Sequence, residues 1–264
     1  MIKIAGITKY FHRGSVNEVL ALDDVNLNVR PGDFITIIGS NGAGKSTLLN
    51  CLAGSYPVDE GSISIDKEDV TSWPEHRRAS NISRVFQNPL LGTCASLTIE
   101  QNMALAARRG KRHGLGLGVK NRDRDLFQEK LRHLGLGLEE RLKDKVGLLS
   151  GGQRQALTML MATMVRPKVM LLDEHTAALD PKTAHQILEL TALVVSRERL
   201  TTLMVTHNMK QALKLGNRLV MMHRSRIILD VEGEEKERLT VEDLIERFYT
   251  ARGEDFSQDR MLLV

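Results

Sequence analysis

The sequence has little of what a membrane-spanning, secreted or disulfide-stabilised protein needs. None of its 264 residues belongs to an apolar run approaching the ~20 residues of a membrane helix. The first six residues contain no charged segment followed by a long apolar one, so we expect no secretory signal. The only cysteines are Cys51 and Cys94, without CxxC spacing. We therefore expect a single cytosolic chain with reduced thiols and no structural zinc site.

The charge is close to balanced, with 37 basic and 33 acidic residues and a sequence pI near 9.1. This mild excess suits an anionic ligand or a membrane surface and does not require nucleic acid. The basic residues concentrate between Arg108 and Arg124, where Gly110, Gly114, Gly116 and Gly118 interrupt them. We interpret this stretch as a mobile, solvated loop; contact with anionic lipid or with a partner is the alternative.

Two patterns of apolar residues predict strands. Residues 25–29 and 62–66 alternate apolar and polar side chains, as strands with one wet face do. Residues 34–38, 169–172 and 202–205 are almost continuously apolar, as parallel strands covered by helices on both faces are. We therefore expect an α/β fold with a mostly parallel sheet and an N-terminal antiparallel β layer. A hairpin-like pair follows at residues 219–222 and 227–229.

Residues 89–165 lack such runs and instead carry helix signals. Thr98, with Gln101 three residues later, is typical of a helix N-terminus, and Phe127, Leu131 and Leu134 recur at helical spacing. This pattern predicts an inserted helical lobe.

The whole organisation is predicted as one domain, residues 1–264. Its α/β core comprises residues 1–88 and 166–250, the lobe comprises residues 89–165, and a frayed tail comprises residues 251–264. Thr240 and Asp243 predict a last helix before that tail.

A glycine-rich segment directly after residues 34–38 matches the phosphate-binding pattern G-x-x-x-x-G-K-[ST]. Its residues are Gly39, Ser40, Asn41, Gly42, Ala43, Gly44, Lys45 and Ser46, and Thr47 continues into a predicted helix. Glycines let successive backbone N–H groups and the helix N-terminus face a polyphosphate. Lys45 is predicted to neutralise the β- and γ-phosphates of a nucleotide, and Ser46 to bind Mg²⁺.

Asp173 and Glu174 end the apolar run at residues 169–172. Two adjacent carboxylates at the end of a buried strand need partners. We expect Asp173 to bind Mg²⁺ through water and Glu174 to act as the general base that polarises the attacking water.

One further segment indicates a more specific class of protein than NTPases in general. Its residues are Leu149-Ser150-Gly151-Gly152-Gln153. It resembles the LSGGQ signature of ATP-binding cassette (ABC) ATPases and lies shortly before Asp173, as in that family. Ser150 could cap a helix here, with Gln153 closing a capping box. The resemblance covers nearly the whole chain, and it implies that this helix binds the ATP of a second cassette, so that two chains enclose two nucleotides head to tail.

The resemblance also assigns roles to isolated residues. Gln87 matches the family glutamine that touches Mg²⁺ and the attacking water, and His207 matches the histidine that contacts the γ-phosphate. Asp180 matches the loop that links the two sites across the dimer. Phe11 matches the aromatic residue that stacks on adenine, with Tyr10 as the competing candidate.

Two positions depart from the family pattern: His175 stands where proline is usual, and Ala177 where serine is usual. His175 is interpreted as a packing substitution, the alternatives being an effect on the pKa of Glu174 or a donor near the nucleotide.

The resemblance implies an ATPase that powers a separate membrane permease from the cytoplasmic face of the inner membrane. We expect a homodimer of cassettes, permease subunits and an extracytoplasmic substrate-binding protein, with no nucleic acid. The absence of fused membrane spans favours a bacterial importer, and the segments around Asn88 and His175 resemble a subgroup tied to amino acids such as tryptophan, tyrosine or branched-chain types. An exporter motor and an ATPase of iron-sulfur cofactor assembly remain alternatives.

Overall fold

The computed structural model describes residues 1–111 and 118–252, in two compact units. One unit combines Met1–Trp73 with the chain from Leu203 onward, and the other is Pro74–Thr202. The strands, in chain order, are β1 (Ile2–Phe11), β2 (Val19–Val29), β3 (Phe34–Gly39), β4 (Glu60–Ile65), β5 (Glu68–Asp69), β6 (Ile82–Val85), β7 (Val169–Asp173), β8 (Thr201–Val205), β9 (Arg218–His223) and β10 (Arg226–Glu232). The α-helices are α1 (Lys45–Ala53), α2 (Glu75–Arg78), α3 (Ile99–Ala107), α4 (Asn121–Arg132), α5 (Gly151–Thr163), α6 (Pro181–Glu198), α7 (Met209–Lys214), α8 (Gly233–Arg238) and α9 (Val241–Arg252). Short 3₁₀ turns lie at Pro89–Gly92, Leu138–Glu140 and Val146–Leu148.

The first unit contains the predicted antiparallel layer, in the strand order β2-β1-β4-β5. Ile2 of β1 lies opposite Val29 on one side and Ile65 on the other. The apolar residues of the alternating segments, such as Leu27 and Ile63, are buried. The alternating apolar residues therefore form the buried face of this antiparallel sheet, as predicted.

The nearly continuous apolar run of β3 belongs to a parallel arrangement in the same unit. β3 pairs in parallel with β9, and β9 pairs antiparallel with β10, which confirms the predicted hairpin-like pair. Residues 34–38 of β3 are all buried. Ile38 packs with Ala212 of α7 and Leu244 of α9 in one cluster, so helices cover the sheet and the run has no wet face.

The second unit contains the parallel pair of β6 and β7, with Ile82 opposite Val169. Its helices α3, α4 and α5 enclose an apolar cluster that includes Met103, Phe127 and Leu157. Within the described part of residues 89–165 there is no strand, only an isolated bridge between Thr98 and Lys145. The helical character predicted for this segment is confirmed.

The predicted helix starts are formed by reciprocal side-chain caps. The Thr98 hydroxyl accepts the Gln101 N–H at 3.3 Å, and the Gln101 side chain accepts the Thr98 N–H at 2.9 Å. Before α9, Asp243 accepts the Thr240 N–H at 2.8 Å. Among the described residues no helix combines the length and apolar character that crossing a membrane requires.

The interpretation of residues 108–124 as a solvated loop is wrong for part of that stretch. Residues from Asn121 onward form the first turn of α4, where Asp123 accepts the Lys120 N–H at 2.9 Å and so stabilises the helix start. Arg124 is paired with Glu100 at 2.7 Å. The Arg109 guanidinium donates to the Ala162 and Val165 carbonyls. The tail predicted for residues 251–264 starts too early, because α9 continues to Arg252. Residues 112–117 and 253–264 lie outside the described residues.

Candidate active site

The predicted phosphate loop connects β3 to α1, in the strand–loop–helix context that the motif requires. Gly44 is the N-cap of α1 and has a φ of 95°. A Cβ at this position would stand 2.4 Å from the Ala21 carbonyl oxygen, so only glycine fits. The first turn of α1 contains no acidic residue. The helix start therefore presents N–H groups without a competing carboxylate, which fits a polyphosphate.

Lys45 holds its ammonium group within this loop. Its side chain is buried, and Nζ donates to the carbonyl oxygens of Gly39 and Ser40 at 2.9 Å each. Ser46, the next residue, is exposed and Thr47 is half-buried. The remaining loop residues differ in exposure: Asn41 and Gly42 are exposed and Ala43 is buried.

His207 lies next to the strand that leads into the phosphate loop. The Thr206 N–H donates to the Ile37 carbonyl of β3 at 3.1 Å, which places the chain after β8 beside the end of β3. His207 is exposed, and Asn208 after it caps α7 by accepting the Gln211 N–H at 3.0 Å. The backbone of His207 therefore lies at the same sheet edge as the loop.

The two candidates for adenine stacking, Phe11 and Tyr10, end β1 and are both half-buried. The Phe11 ring lies edge-to-face against Tyr56, with centroids 5.3 Å apart. The Arg13 guanidinium lies over the Tyr10 ring at 4.6 Å. Lys9 Nζ likewise lies 5.9 Å from the centroid of the Phe11 ring, so both rings have a neighbouring cation and the choice of Phe11 stays a prediction from the family resemblance.

In the second unit, the two carboxylates at the end of β7 have partners from the segment of β6. The Gln87 Nε2 donates to Glu174 Oε2 at 3.3 Å, and an Arg84 guanidinium nitrogen lies 3.1 Å from Asp173 Oδ2. The Arg84 guanidinium also lies 4.6 Å above the Phe86 ring. The structure therefore brings the predicted Gln87 and Glu174 together. Sequence reasoning missed Arg84, although a cation flanked by Ile82 and Val85 within a strand was a usable signal.

His175 is buried rather than turned toward solvent, with an exposure of 2%. Its Nε2 lies 3.0 Å from the Thr191 hydroxyl of α6. Burial lowers the pKa of His175 from its ordinary 6.5 to about 4, because an imidazolium would lose its hydration. The ring is therefore neutral at neutral pH, and it packs against α6.

The signature segment starts α5 with the reciprocal cap that the sequence predicts. Ser150 Oγ accepts the Gln153 N–H and Gln153 Oε1 accepts the Ser150 N–H, both at 3.2 Å. Ser150 and Gly151 are exposed at this helix end. A Cβ at Gly152 would stand 2.2 Å from the Thr183 methyl group, so a glycine is needed where α5 approaches α6.

Asp180 caps α6 by accepting the Thr183 N–H at 3.1 Å. Hydrogen bonds from Thr183 lower the pKa of this carboxyl group below its ordinary value. Asp180 is exposed and stays ionised at the helix N-terminus, where a negative charge is favourable.

The predicted metal ligands match the chemistry of Mg²⁺. Ser46, Gln87 and Asp173 offer hydroxyl, amide and carboxylate oxygens, the hard donors that this ion prefers. Among the described residues no cluster of three or more His, Cys, Asp or Glu side chains could enclose a metal by itself.

Known proteins match this chain over most of its length. A family described as ABC transporter matches residues 22–177. A tyrosine transport ATP-binding protein of Clostridioides difficile is 44% identical, over 94% of this chain and 98% of that protein. The methionine import ATP-binding protein MetN of Clostridium tetani is 33% identical, over 93% of this chain and 76% of that protein. A dimeric ATP-binding cassette, solved in a post-hydrolysis state with ADP and Pi, superposes with a TM-score of 0.75 at 28% identity, over 88% of this chain and 98% of that one. With this sequence match and this fold, the chain belongs to the ABC transporter family.

Proposed function

We propose that this chain is the ATP-binding and ATP-hydrolysing subunit of a membrane ABC transporter that imports an amino acid. The observation that carries the proposal is the exposed, capped start of α5 at Ser150-Gly151, in a chain that also has a phosphate loop between β3 and α1. A phosphate loop alone supports only an NTPase. The cap of α5 uses the N–H groups of Ser150 and Gln153, which leaves those of Gly151 and Gly152 for a ligand. This second helix start gives the chain an additional surface for phosphate.

ATP binding is assigned to the first unit. The N–H groups of Gly39 to Ser46 and the start of α1 bind the β- and γ-phosphates, and the Lys45 ammonium neutralises their charge. Phe11 stacks on adenine, and His207 contacts the γ-phosphate. Ser46, Gln87 and Asp173 would hold Mg²⁺, which would neutralise the negative charge that develops on the phosphates.

Hydrolysis is assigned to Glu174 as the general base. It accepts a proton from the water that attacks the γ-phosphorus, while the bond from that phosphorus to the β–γ bridging oxygen breaks and ADP leaves. Gln87, whose amide lies 3.3 Å from Glu174 Oε2, orients both the carboxylate and the water.

The working ATPase is a homodimer in which Ser150, Gly151, Gly152 and Gln153 of one chain bind the γ-phosphate of ATP on the other. The dimeric form of the similar ADP- and Pi-bound cassette supports this arrangement. Asp180, at the start of α6, links the two sites across the dimer.

The names of the relatives support import of an amino acid, since one acts in tyrosine transport and another in methionine import. We therefore place the chain at the cytoplasmic face of the inner membrane, bound to permease subunits, with an extracytoplasmic substrate-binding protein in the same system. No residue of this chain is assigned to the cargo.

Copurification after mild detergent extraction tests the proposal. We expect the tagged chain to retain a membrane protein with several spans, and the preparation to release phosphate from ATP. Lys45→Ala should weaken ATP binding while leaving the membrane partner attached. Recovery with iron-sulfur assembly proteins and no multi-span protein, or unchanged ATP affinity in Lys45→Ala, would contradict it.

A further inference from the structure

The backbone at Glu174 adopts a conformation that a residue with a Cβ rarely adopts. Its φ is 45°, in the left-handed region. The Ala177 N–H donates to the Glu174 carbonyl at 2.9 Å, which closes a turn after the residue. Gln87 donates to the carboxylate at 3.3 Å, and the left-handed backbone that carries this carboxylate continues directly into the next residue, His175.

His175 is anchored through its side chain. The ring is 2% exposed, and its Nε2 lies 3.0 Å from Thr191 Oγ1, itself fully buried on α6. The Thr191 hydroxyl donates its single proton to the Ile187 carbonyl at 2.7 Å. Toward His175 it can therefore only accept, so the hydrogen-bond network assigns the ring proton to Nε2.

The result is a directed chain of hydrogen bonds from the residue after Glu174 into the body of α6. Every donor and acceptor in it is defined, because the Ile187 carbonyl fixes the Thr191 proton and Thr191 fixes the His175 tautomer. Buried networks of this kind rigidify the groups that they connect. Glu174 is covalently attached to the first member of this chain.

We propose that His175 and Thr191 are positioning residues for hydrolysis: their hydrogen bond holds the left-handed backbone of Glu174 so that its carboxylate meets the attacking water. The proposal rests on the proposed function, since it takes Glu174 as the general base. Neither residue touches ATP; both act through Glu174. Small displacements of a catalytic group cost large factors in rate, so an effect on kcat is expected without one on binding.

Thr191 offers a matched pair of variants. Thr191→Val keeps the shape and removes the hydroxyl, whereas Thr191→Ser keeps the hydroxyl. We expect Thr191→Val to lower kcat roughly 10- to 100-fold with KM for ATP and nucleotide affinity unchanged within about twofold, and Thr191→Ser to hydrolyse ATP like the wild type. His175→Phe, which keeps a ring without the donor, should match Thr191→Val, and the double variant should be no slower than either single one.

Phosphate release is measured with the full chain, at a temperature where urea unfolding shows each variant to be folded. In a Glu174→Gln background, Thr191→Val should cause no further loss, because it acts through the carboxylate. A wild-type kcat in Thr191→Val or His175→Phe, or an equal loss in Thr191→Ser, would overturn the proposal. So would a further loss in the Glu174→Gln background. Failure of the proposed function is seen separately, as near-normal turnover of Glu174→Gln alone.

Discussion

The proposed hydrolysis depends on one half-buried carboxylate, that of Glu174 at the end of β7. Gln87 contacts the carboxylate, and the backbone that carries it is left-handed. A general base in such a position is worth about 10²–10⁴-fold in rate. A substitution that removes only the charge of Glu174 therefore separates its role in hydrolysis from nucleotide binding.

We predict that Glu174→Gln retains ATP affinity, loses about 10²–10⁴-fold in turnover and accumulates as an ATP-bound dimer. Phosphate release and sedimentation with ATP and Mg²⁺ measure the two effects. Glu189→Gln is the matched control, because Glu189 is an exposed carboxylate on α6. Turnover of Glu174→Gln within a factor of two of this control would exclude Glu174 as the base.

Phe11 and Tyr10 allow the adenine contact to be assigned. Phe11→Ala should weaken ATP binding by about 1–3 kcal/mol, the usual worth of stacking between a base and an aromatic ring. Its affinity for inorganic tripolyphosphate should be unchanged, since no base is present. Tyr10→Ala, the control, should bind both ligands like the wild type. Calorimetric titration decides the assignment, and the reverse pattern would move the role to Tyr10.

At the scale of the element, the N-terminus of α5 has two roles: Ser150 caps the helix, and the same helix start is proposed to bind phosphate. Ser150→Asp keeps an N-cap oxygen for the Gln153 N–H but adds a negative charge at the helix start that is assigned to phosphate. We predict that this variant unfolds like the wild type yet loses most ATP-driven dimerisation and turnover. Ser150→Ala should instead lose about 1 kcal/mol of stability through the missing cap. Normal turnover in Ser150→Asp would remove the signature from the site.

The elements that could be predicted from the sequence are those whose causes are local. The buried run of β3 and the capping residues of α3, α5 and α9 each lie within a few neighbouring positions. The start of α4 was missed because the glycines before it outweighed the Lys120 and Asp123 cap. A capping signal of two residues is weak beside four glycines in nine positions.

The residues of the site also fall into two groups, those indicated by neighbouring positions in the sequence and those that depend on packing. The phosphate loop and the signature are contiguous in sequence and were predicted residue by residue. The contact of Arg84 with Asp173 joins residues 89 positions apart, and that of His175 with Thr191 joins residues 16 positions apart. Such pairs depend on how strands and helices pack, so the residue types alone did not indicate them.

At the scale of the whole molecule, Lys236 makes stability depend on pH. Its side chain is buried and donates to the Leu215 and Gly216 carbonyls, and burial lowers its pKa from 10.5 to about 8. Between those values the folded chain has released this proton and the unfolded chain still holds it. The free energy of unfolding therefore gains a contribution that rises with pH across this window, and below about pH 8 the full cost of burying the ammonium remains.

Urea midpoints of the wild type and of Lys236→Met, taken from pH 7 to 10.5, measure this contribution. We predict that the midpoint of the wild type rises relative to that of the variant as the pH passes about 8. Parallel curves for the two proteins would show that Lys236 does not titrate in this window.

The most direct test of the account is transport itself, measured with the chain and its copurified permease in liposomes. With ATP and Mg²⁺ on the side of this chain, and the soluble binding protein of the system on the other, we predict uptake of an amino acid from a mixture of labelled amino acids. Uptake should stop with Glu174→Gln and continue with Glu189→Gln. Amino-acid uptake at the same rate without ATP, or undiminished in Glu174→Gln, would contradict the claim that hydrolysis by this chain drives the transporter.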